Sequence, residues 1–408
     1  MRHLNEIIKT LILHKERGHH PITLLAVCPN SAAVLEAAVK AAAKNRSIML
    51  FAATLNQVDI EASYTGWTPA DFVRQMNAYA HKYKWSGAFY PCLDHGGPWL
   101  KDTHALAKLP YPETMKRVKN SIEACILAGY KLLHIDPTVD RTLPSNETLG
   151  LEIIVERTAE LIGHAEQVRN KSGIAELAYE VGTEEVHGGL VDIGKFTNFL
   201  DLLKIQLRKN SLIQCWPCLF VAQIGTDLHT ATFDPQSAKR LYPILAPKGS
   251  LVKGHYTDWV KNPEEYPRTG VGAANVGPEF TAEEYLALDE LERYEREWIR
   301  NTHFKPSNMI DTLQKVVIES GRWKKWLLPD EVGSEFDNLS EARKDWLLKT
   351  GSRYIWNDPK VLAAREKLYK NLRYKVHDPH TYVVDKITKS VEKYITAFNL
   401  RNSIDVLG

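Results

Sequence analysis

The chain has 408 residues, 44% of them hydrophobic, and sets 52 Lys and Arg against 50 Asp and Glu for a formal net charge of +2. So even a balance leaves no field to recruit nucleic acid or an acidic membrane surface, and no run approaches the ~18 consecutive apolar residues of a membrane span. Residues 1–13 are too broken in hydrophobicity for a signal sequence, so the expected setting is the cytoplasm and the expected partners are small molecules or protein.

In chain order, short apolar runs alternate with amphipathic stretches eight times. Strands are expected at 22–28, 48–54, 88–93, 131–136, 175–181, 217–224, 251–255 and 271–276. They show little polar alternation, as parallel strands buried on both faces do. Helices are expected between them at 31–44, 68–82, 112–128, 147–170, 192–207 and 234–245. Ser31, Thr68 (followed by Pro69), Asn146, Asp192 and Asp234 supply cap residues for several of these. A strand-helix unit repeated over residues 1–300 predicts an α/β fold, the (β/α)8 TIM barrel. An open doubly wound sheet is the alternative, disfavoured in its dinucleotide-binding form because no Gly-x-Gly-x-x-Gly follows the first strand.

After residue 300 the strand period stops. Segments 307–320, 340–350, 359–374 and 380–399 read as helices, and Trp323, Trp326, Trp346, Tyr354 and Trp356 need a surface to cover them. Residues 301–408 are therefore expected to form a helical extension packed on the barrel. The five cysteines are too sparse for a disulfide framework, and Cys215-Trp-Pro-Cys218 runs into a strand rather than opening a helix, against a redox role.

Chemistry in such a barrel gathers where strands end at their C-terminal side. Those ends carry Asn56 and Gln57, then Asp94 and His95, His134 and Asp136, Glu180 and Glu184, Gln223 and His229, His255 and Asp258, and Asn275. Asp94 and His95 close the apolar run Phe89–Leu93 and are released by glycines. His95, His229 and His255 follow three different strands, so one face can bring three neutral imidazoles to a divalent ion such as Zn²⁺, with Glu180 completing or supporting the set. Lys101, Lys253 and Arg268 are the candidate phosphate contacts, since no Gly-rich phosphate cradle is evident.

The stretches Asn56-Gln57-Val58-Asp59 and Tyr64-Thr65-Gly66-Trp67-Thr68-Pro69, with Asp94-His95, His134-Ile135-Asp136, Gly182-Thr183-Glu184, His255-x-Thr257-Asp258, Val276-Gly277-Pro278 and Arg353-Tyr354-x-Trp356, resemble the GatZ/KbaZ-like subunit family of class II tagatose-bisphosphate aldolases. The resemblance spans nearly the whole chain. It implies a barrel related to zinc-dependent class II fructose-bisphosphate aldolases. It also implies Asp94 as acid/base, His95, His229 and His255 as zinc ligands, and Asn275 as a substrate-holding amide. Glu184 joins Asp94 as a candidate catalytic residue; Asn56, Gln57, Asp136, Gln223 and Asp258 join Asn275 as candidate sugar or sugar-phosphate contacts. Ala62-Ser63 and Trp99 depart from the family pattern near the expected mouth and leave the size and phosphorylation of the substrate open.

Three activities fit these residues. A metal-dependent retro-aldol enzyme working at C3–C4 would be an aldolase if it releases the aldehyde and a ketose 4-epimerase if it turns and recaptures it. A non-catalytic subunit that stabilises a separate aldolase chain, or a homo-oligomer, is the remaining organisation.

Overall fold

Eight parallel strands close on themselves in chain order: β1 (Leu24–Val27), β2 (Met49–Thr54), β3 (Phe89–Gly96), β4 (Leu132–Ile135), β5 (Ala178–Gly182), β6 (Leu219–Val221), β7 (Leu251–Gly254) and β8 (Ala273–Val276). Leu24 pairs with Ala273 and Val27 with Val276, which joins the last strand to the first. The computed structural model describes residues 2–61, 63–144, 147, 149–182, 189–229, 231–300 and 302–408. All four residues of β1, β4, β7 and β8 are buried, the two-sided burial that their mostly apolar runs predict.

The expected helices form, and their sequence caps act as caps. Ser31 Oγ accepts the Val34 N–H, Thr68 and Asp71 form a reciprocal capping box, and Asp192 and Asp234 accept N–H groups from Lys195 and Ser237. The helix expected from residue 147 starts instead at Leu151, and Asn146 lies outside the described residues. An N-terminal helix, Leu4–Glu16, buries Leu4, Ile7, Ile8, Leu11 and Ile12. It lies across the N-terminal end of the barrel: the Tyr90 hydroxyl donates to the Arg2 carbonyl at 2.7 Å, and Lys15 Nζ to the Arg268 carbonyl at 2.7 Å.

Residues beyond 300 form the helices Met309–Ser320, Glu341–Gly351, Pro359–Leu372 and Pro379–Ala397. The last packs against both Ala32–Asn45 and Pro278–Ile299, taking a place in the ring around the barrel. Its Tyr394 hydroxyl donates to the Thr257 carbonyl, and the chain that follows is tied to the strands: Thr23 N–H donates to the Phe398 carbonyl and Ile48 N–H to Ser403 Oγ. The earlier part of the extension covers the C-terminal face. Tyr354 stacks edge-on against Tyr64 of the loop after β2, with ring centroids 5.1 Å apart, and Arg322 pairs with Asp102 of the loop after β3 at 2.6 Å.

Candidate active site

Successive side chains of a strand point to opposite faces, so Asp94 and His95 should diverge. They do not, because β3 carries an extra residue here: Leu93 pairs with Leu133 and Gly96 with Ile135, three steps against two. His95 takes φ 51°, rare for a residue with a side chain, and both groups face the mouth. The glycines that follow let β4 approach: a Cβ on Gly97 would stand 1.7 Å from the Asp136 carbonyl oxygen. The His95 N–H donates to His134 Nδ1 at 3.1 Å, which fixes the bulge to β4.

Ligand atoms of Asp94, His95, His134 and His255 all lie within 4.8 Å of one another. Asp94 is central: Asn275 Nδ2 donates to its Oδ2 at 3.0 Å, His134 Nδ1 lies 3.2 Å from Oδ1, and His255 Nε2 lies 3.8 Å from Oδ1. Behind them Glu180 Oε1 is 3.3 Å from His255 Nε2, and Lys253 Nζ donates to Glu180 Oε2 at 2.7 Å and stands 3.6 Å from Asp94. His95 Nδ1 meets Asp136 Oδ2 at 2.6 Å, and Thr138 Oγ1 donates to Asp136 at 2.5 Å.

These charges set the titration of the site. Burial pushes the Asp94 carboxyl up, but Lys253 and the neighbouring imidazoles outweigh it and hold Asp94 well below the usual carboxylate range. Burial likewise opposes ionisation of Glu180, yet Lys253 and His134 bring it down to about 2. Burial lowers His95, but Asp94 and Asp136 raise it to about 9, whereas for His255 burial wins and takes it down to about 4. Three imidazoles and a carboxylate at this spacing could hold a divalent metal ion. His134 Nε2, buried and without a hydrogen-bond partner, is consistent with that use.

The third imidazole of this cluster is His134 and not the expected His229. His229 falls on the loop beyond β6, which carries it outward: its ring lies 5.1 Å from Trp346 of the extension, and burial and then Arg343 hold its pKa down. The signal for His134 is its spacing, since His134 on β4 and Asp136 just past it are two apart and face the same way, as do Lys253 on β7 and His255 just past it. Lys253 is accordingly inside the barrel.

The expected sugar contacts divide. Asn275 and Asp136 face the cluster. Asn56 is engaged at both ends, to the Leu100 carbonyl and the Asp102 N–H, and Gln57 to the Pro29 carbonyl and the Thr54 N–H; both hold loops. Asp258 accepts the Gly277 and Glu279 N–H groups at the start of helix Pro278–Ile299, and burial pushes it up to about 7. Gln223 lies after β6, its carbonyl accepting the Val191 N–H. Trp99 turns into the loop after β3, donating to the Leu109 carbonyl at 2.8 Å. Glu184, Thr183 and Ala62 lie outside the described residues. Lys101 is buried against Asp59 at 2.5 Å, and Arg268 sits before β8, at the opposite end of the barrel.

The closed ring of eight parallel strands defines a (β/α)8 barrel. The chain belongs to the D-tagatose-1,6-bisphosphate aldolase subunit GatZ/KbaZ-like family, whose model matches residues 8–403. A D-tagatose 6-phosphate 4-epimerase of Agrobacterium fabrum is 26% identical over 396 residues, covering 90% of this chain and 88% of the relative. A solved structure described as a probable tagatose 6 phosphate kinase from Sinorhizobium meliloti 1021 superposes with TM-score 0.78 at 20% identity, over 92% of this chain and 100% of that one. Fructose-bisphosphate aldolase from Campylobacter jejuni gives TM-score 0.56 at 12% identity, over 98% and 96% of the two chains. Both structures share the fold. Among the described residues no helix is long and apolar enough to cross a membrane.

Proposed function

We propose that this protein is a divalent-metal-dependent retro-aldol enzyme acting at C3–C4 of a ketose or ketose phosphate of the tagatose and fructose type, with 4-epimerisation as its outcome. The observation that carries the reading is the convergence of His95, His134 and His255 from β3, β4 and β7 around the Asp94 carboxylate. A zinc or similar ion held by those imidazoles would polarise the ketose carbonyl and offset the charge that develops on the enediolate.

The remaining steps fall to the chain's own groups. Asp94, kept ionised by Lys253, takes the C4 hydroxyl proton as the C3–C4 bond breaks. The bond's electron pair stays with the three-carbon fragment as an enediolate, and C4 becomes an aldehyde. When the aldehyde turns, the enediolate re-forms the bond on its other face and Asp94 returns the proton to the C4 oxygen, inverting C4. Asn275 holds Asp94 in line for both transfers. Retention of the aldehyde, rather than its release, is supported by end-to-end similarity to the Agrobacterium 4-epimerase.

A second reading, a non-catalytic aldolase subunit, draws on the family's description and on Lys253, whose ammonium pairs with Glu180 and stands 3.6 Å from Asp94. One assay separates the two. Zinc-loaded full-length protein is incubated with ketose phosphates and free ketoses, and both epimer and aldehyde are scored. Epimer formation supports the first reading; no turnover, together with stimulation of a separate aldolase chain, supports the second.

A further inference from the structure

The extension carries a buried cation that forms no ion pair with any described carboxylate. Arg353, on the turn Ser352–Tyr354 after helix Glu341–Gly351, is 4% exposed. Its guanidinium stands 4.5 Å from the Trp326 ring and 4.7 Å from the Tyr354 ring, and one NH2 group donates to the Tyr354 hydroxyl at 3.0 Å. The other arm, NH1, is buried without a hydrogen-bond partner. Two other arginines have a carboxylate partner: Arg157, whose NH1 is likewise buried without a hydrogen-bond partner, pairs with Asp140 and Arg343 pairs with Glu331, each at 2.7 Å. A guanidinium removed from water without an anion is costly, so an unpaired one implies a counter-charge that arrives from outside the chain.

Its location tells which charge. Arg353 acts electrostatically on Asp258, three residues past His255, and on Tyr64 of the loop after β2. Tyr354, which accepts from Arg353, stacks on Tyr64 of the loop after β2, and Asp258 accepts the N–H of Gly277, which lies against Cys28 at the end of β1, so the Arg353 region sits on the face where β1, β2, β7 and β8 end. Loops after the last two strands are where barrels of this kind bind phosphate. The cations expected from sequence for that task are committed elsewhere, Lys101 to Asp59 and Lys253 to Glu180.

We infer that Arg353 is a specificity-determining residue that receives an oxyanion, a phosphate ester or a carboxylate, on the end of the sugar remote from C3–C4. A planar guanidinium with one arm open suits such a group better than a neutral hydroxymethyl. The inference rests on reading the site as sugar-processing, but it is testable apart from turnover. Calorimetric titration of the full-length protein with inorganic phosphate is expected to show binding that weakens about 10- to 100-fold in Arg353→Met, the loss of a charge-assisted contact. The kcat/KM ratio for a ketose 6-phosphate over the free ketose should fall by a similar factor, mainly through KM. A hexuronate titrated in parallel distinguishes a carboxylate from a phosphate ligand. If Arg353→Met fails to fold by circular dichroism, Arg353→Lys is read in the same way, since an ammonium cannot reproduce the fork. Equal oxyanion binding by wild type and folded variant overturns the inference, as does a wild type that binds neither phosphate nor hexuronate. Arg353-dependent binding in a protein that turns over no sugar upholds the inference and removes the proposed reaction.

Discussion

Asp136 Oδ2 lies 2.6 Å from His95 Nδ1, so a carboxylate at the end of β4 fixes the ring of an imidazole held in a left-handed bulge on β3. With Nδ1 engaged, the other nitrogen of His95 faces the cluster. Asp136→Asn keeps the size but removes the charge that orients and enriches the ring. Zinc affinity should fall roughly 10- to 100-fold. Competition titration against a chelating dye measures it, and an unchanged affinity would separate Asp136 from the metal site.

The imidazole set makes a second prediction. His134→Ala should lose stoichiometric zinc on metal analysis, while His229→Ala should retain it, because His229 packs on Trp346 away from Asp94. The reverse pattern would place the metal at the loop after β6.

That contrast shows where the sequence was legible. Apolar runs as short as β4 and β7 announced the barrel because a parallel strand covered on both faces tolerates few polar residues. The exceptions, His134 and Lys253, were therefore the residues to place inside. Reading by strand end instead favoured His229, whose loop position gives no direction, and set Lys253 aside as a phosphate contact. The bulge that turns His95 toward Asp94 has no sequence signature beyond Gly96-Gly97. The helix Pro379–Ala397 read as amphipathic, but its place in the ring depends on contacts far apart in the chain, with Ala32–Asn45 and Pro278–Ile299.

Lys253 carries a stability prediction. Lys253→Met fills the same space without charge and leaves Glu180 buried beside it. Breaking a buried pair on one side costs about 3–5 kcal/mol, which denaturant unfolding at neutral pH will show. A variant as stable as wild type would mean that the neighbouring imidazoles alone neutralise Glu180.

The metal-free protein should depend on pH in a set direction. The folded-state pKa of His95 is raised to about 9, so its contribution is present in full below the ordinary value of 6.5 and is lost as pH rises through 9. Glu180, lowered to about 2, contributes above the ordinary 4.5 and loses its contribution as pH falls toward 2. His255, lowered to about 4, loses its contribution as pH falls from 6.5, and Asp258, raised to about 7, loses its own as pH rises from the ordinary 3.8, so these two offset and stability measured without metal should decline on either side of about pH 4.5 to 6.5. Because zinc takes the unprotonated ring, its apparent affinity should climb over the same rise from 6.5 to 9. Flat profiles in both measurements would remove the assigned ion pairs.

Ending the chain at residue 300 would uncover the faces of Ala32–Asn45 and Pro278–Ile299 and delete the buried Trp356 and Tyr394. Each large aromatic contributes on the order of 2–3 kcal/mol when buried, so the truncated protein should aggregate or unfold at lower temperature. Equal solubility and thermal stability would make the extension a separable module.

The central claim is that Asp94 transfers the C4 hydroxyl proton beside a metal held by His95, His134 and His255. Turnover of zinc-loaded Asp94→Asn on the ketose phosphate that wild type epimerises, with zinc content measured on the same sample, tests it most directly. The amide keeps the hydrogen-bonding size of the side chain but cannot accept the proton. A fall of roughly 10²–10⁴-fold in kcat with zinc retained is the predicted result; undiminished turnover in a zinc-loaded variant would contradict the mechanism.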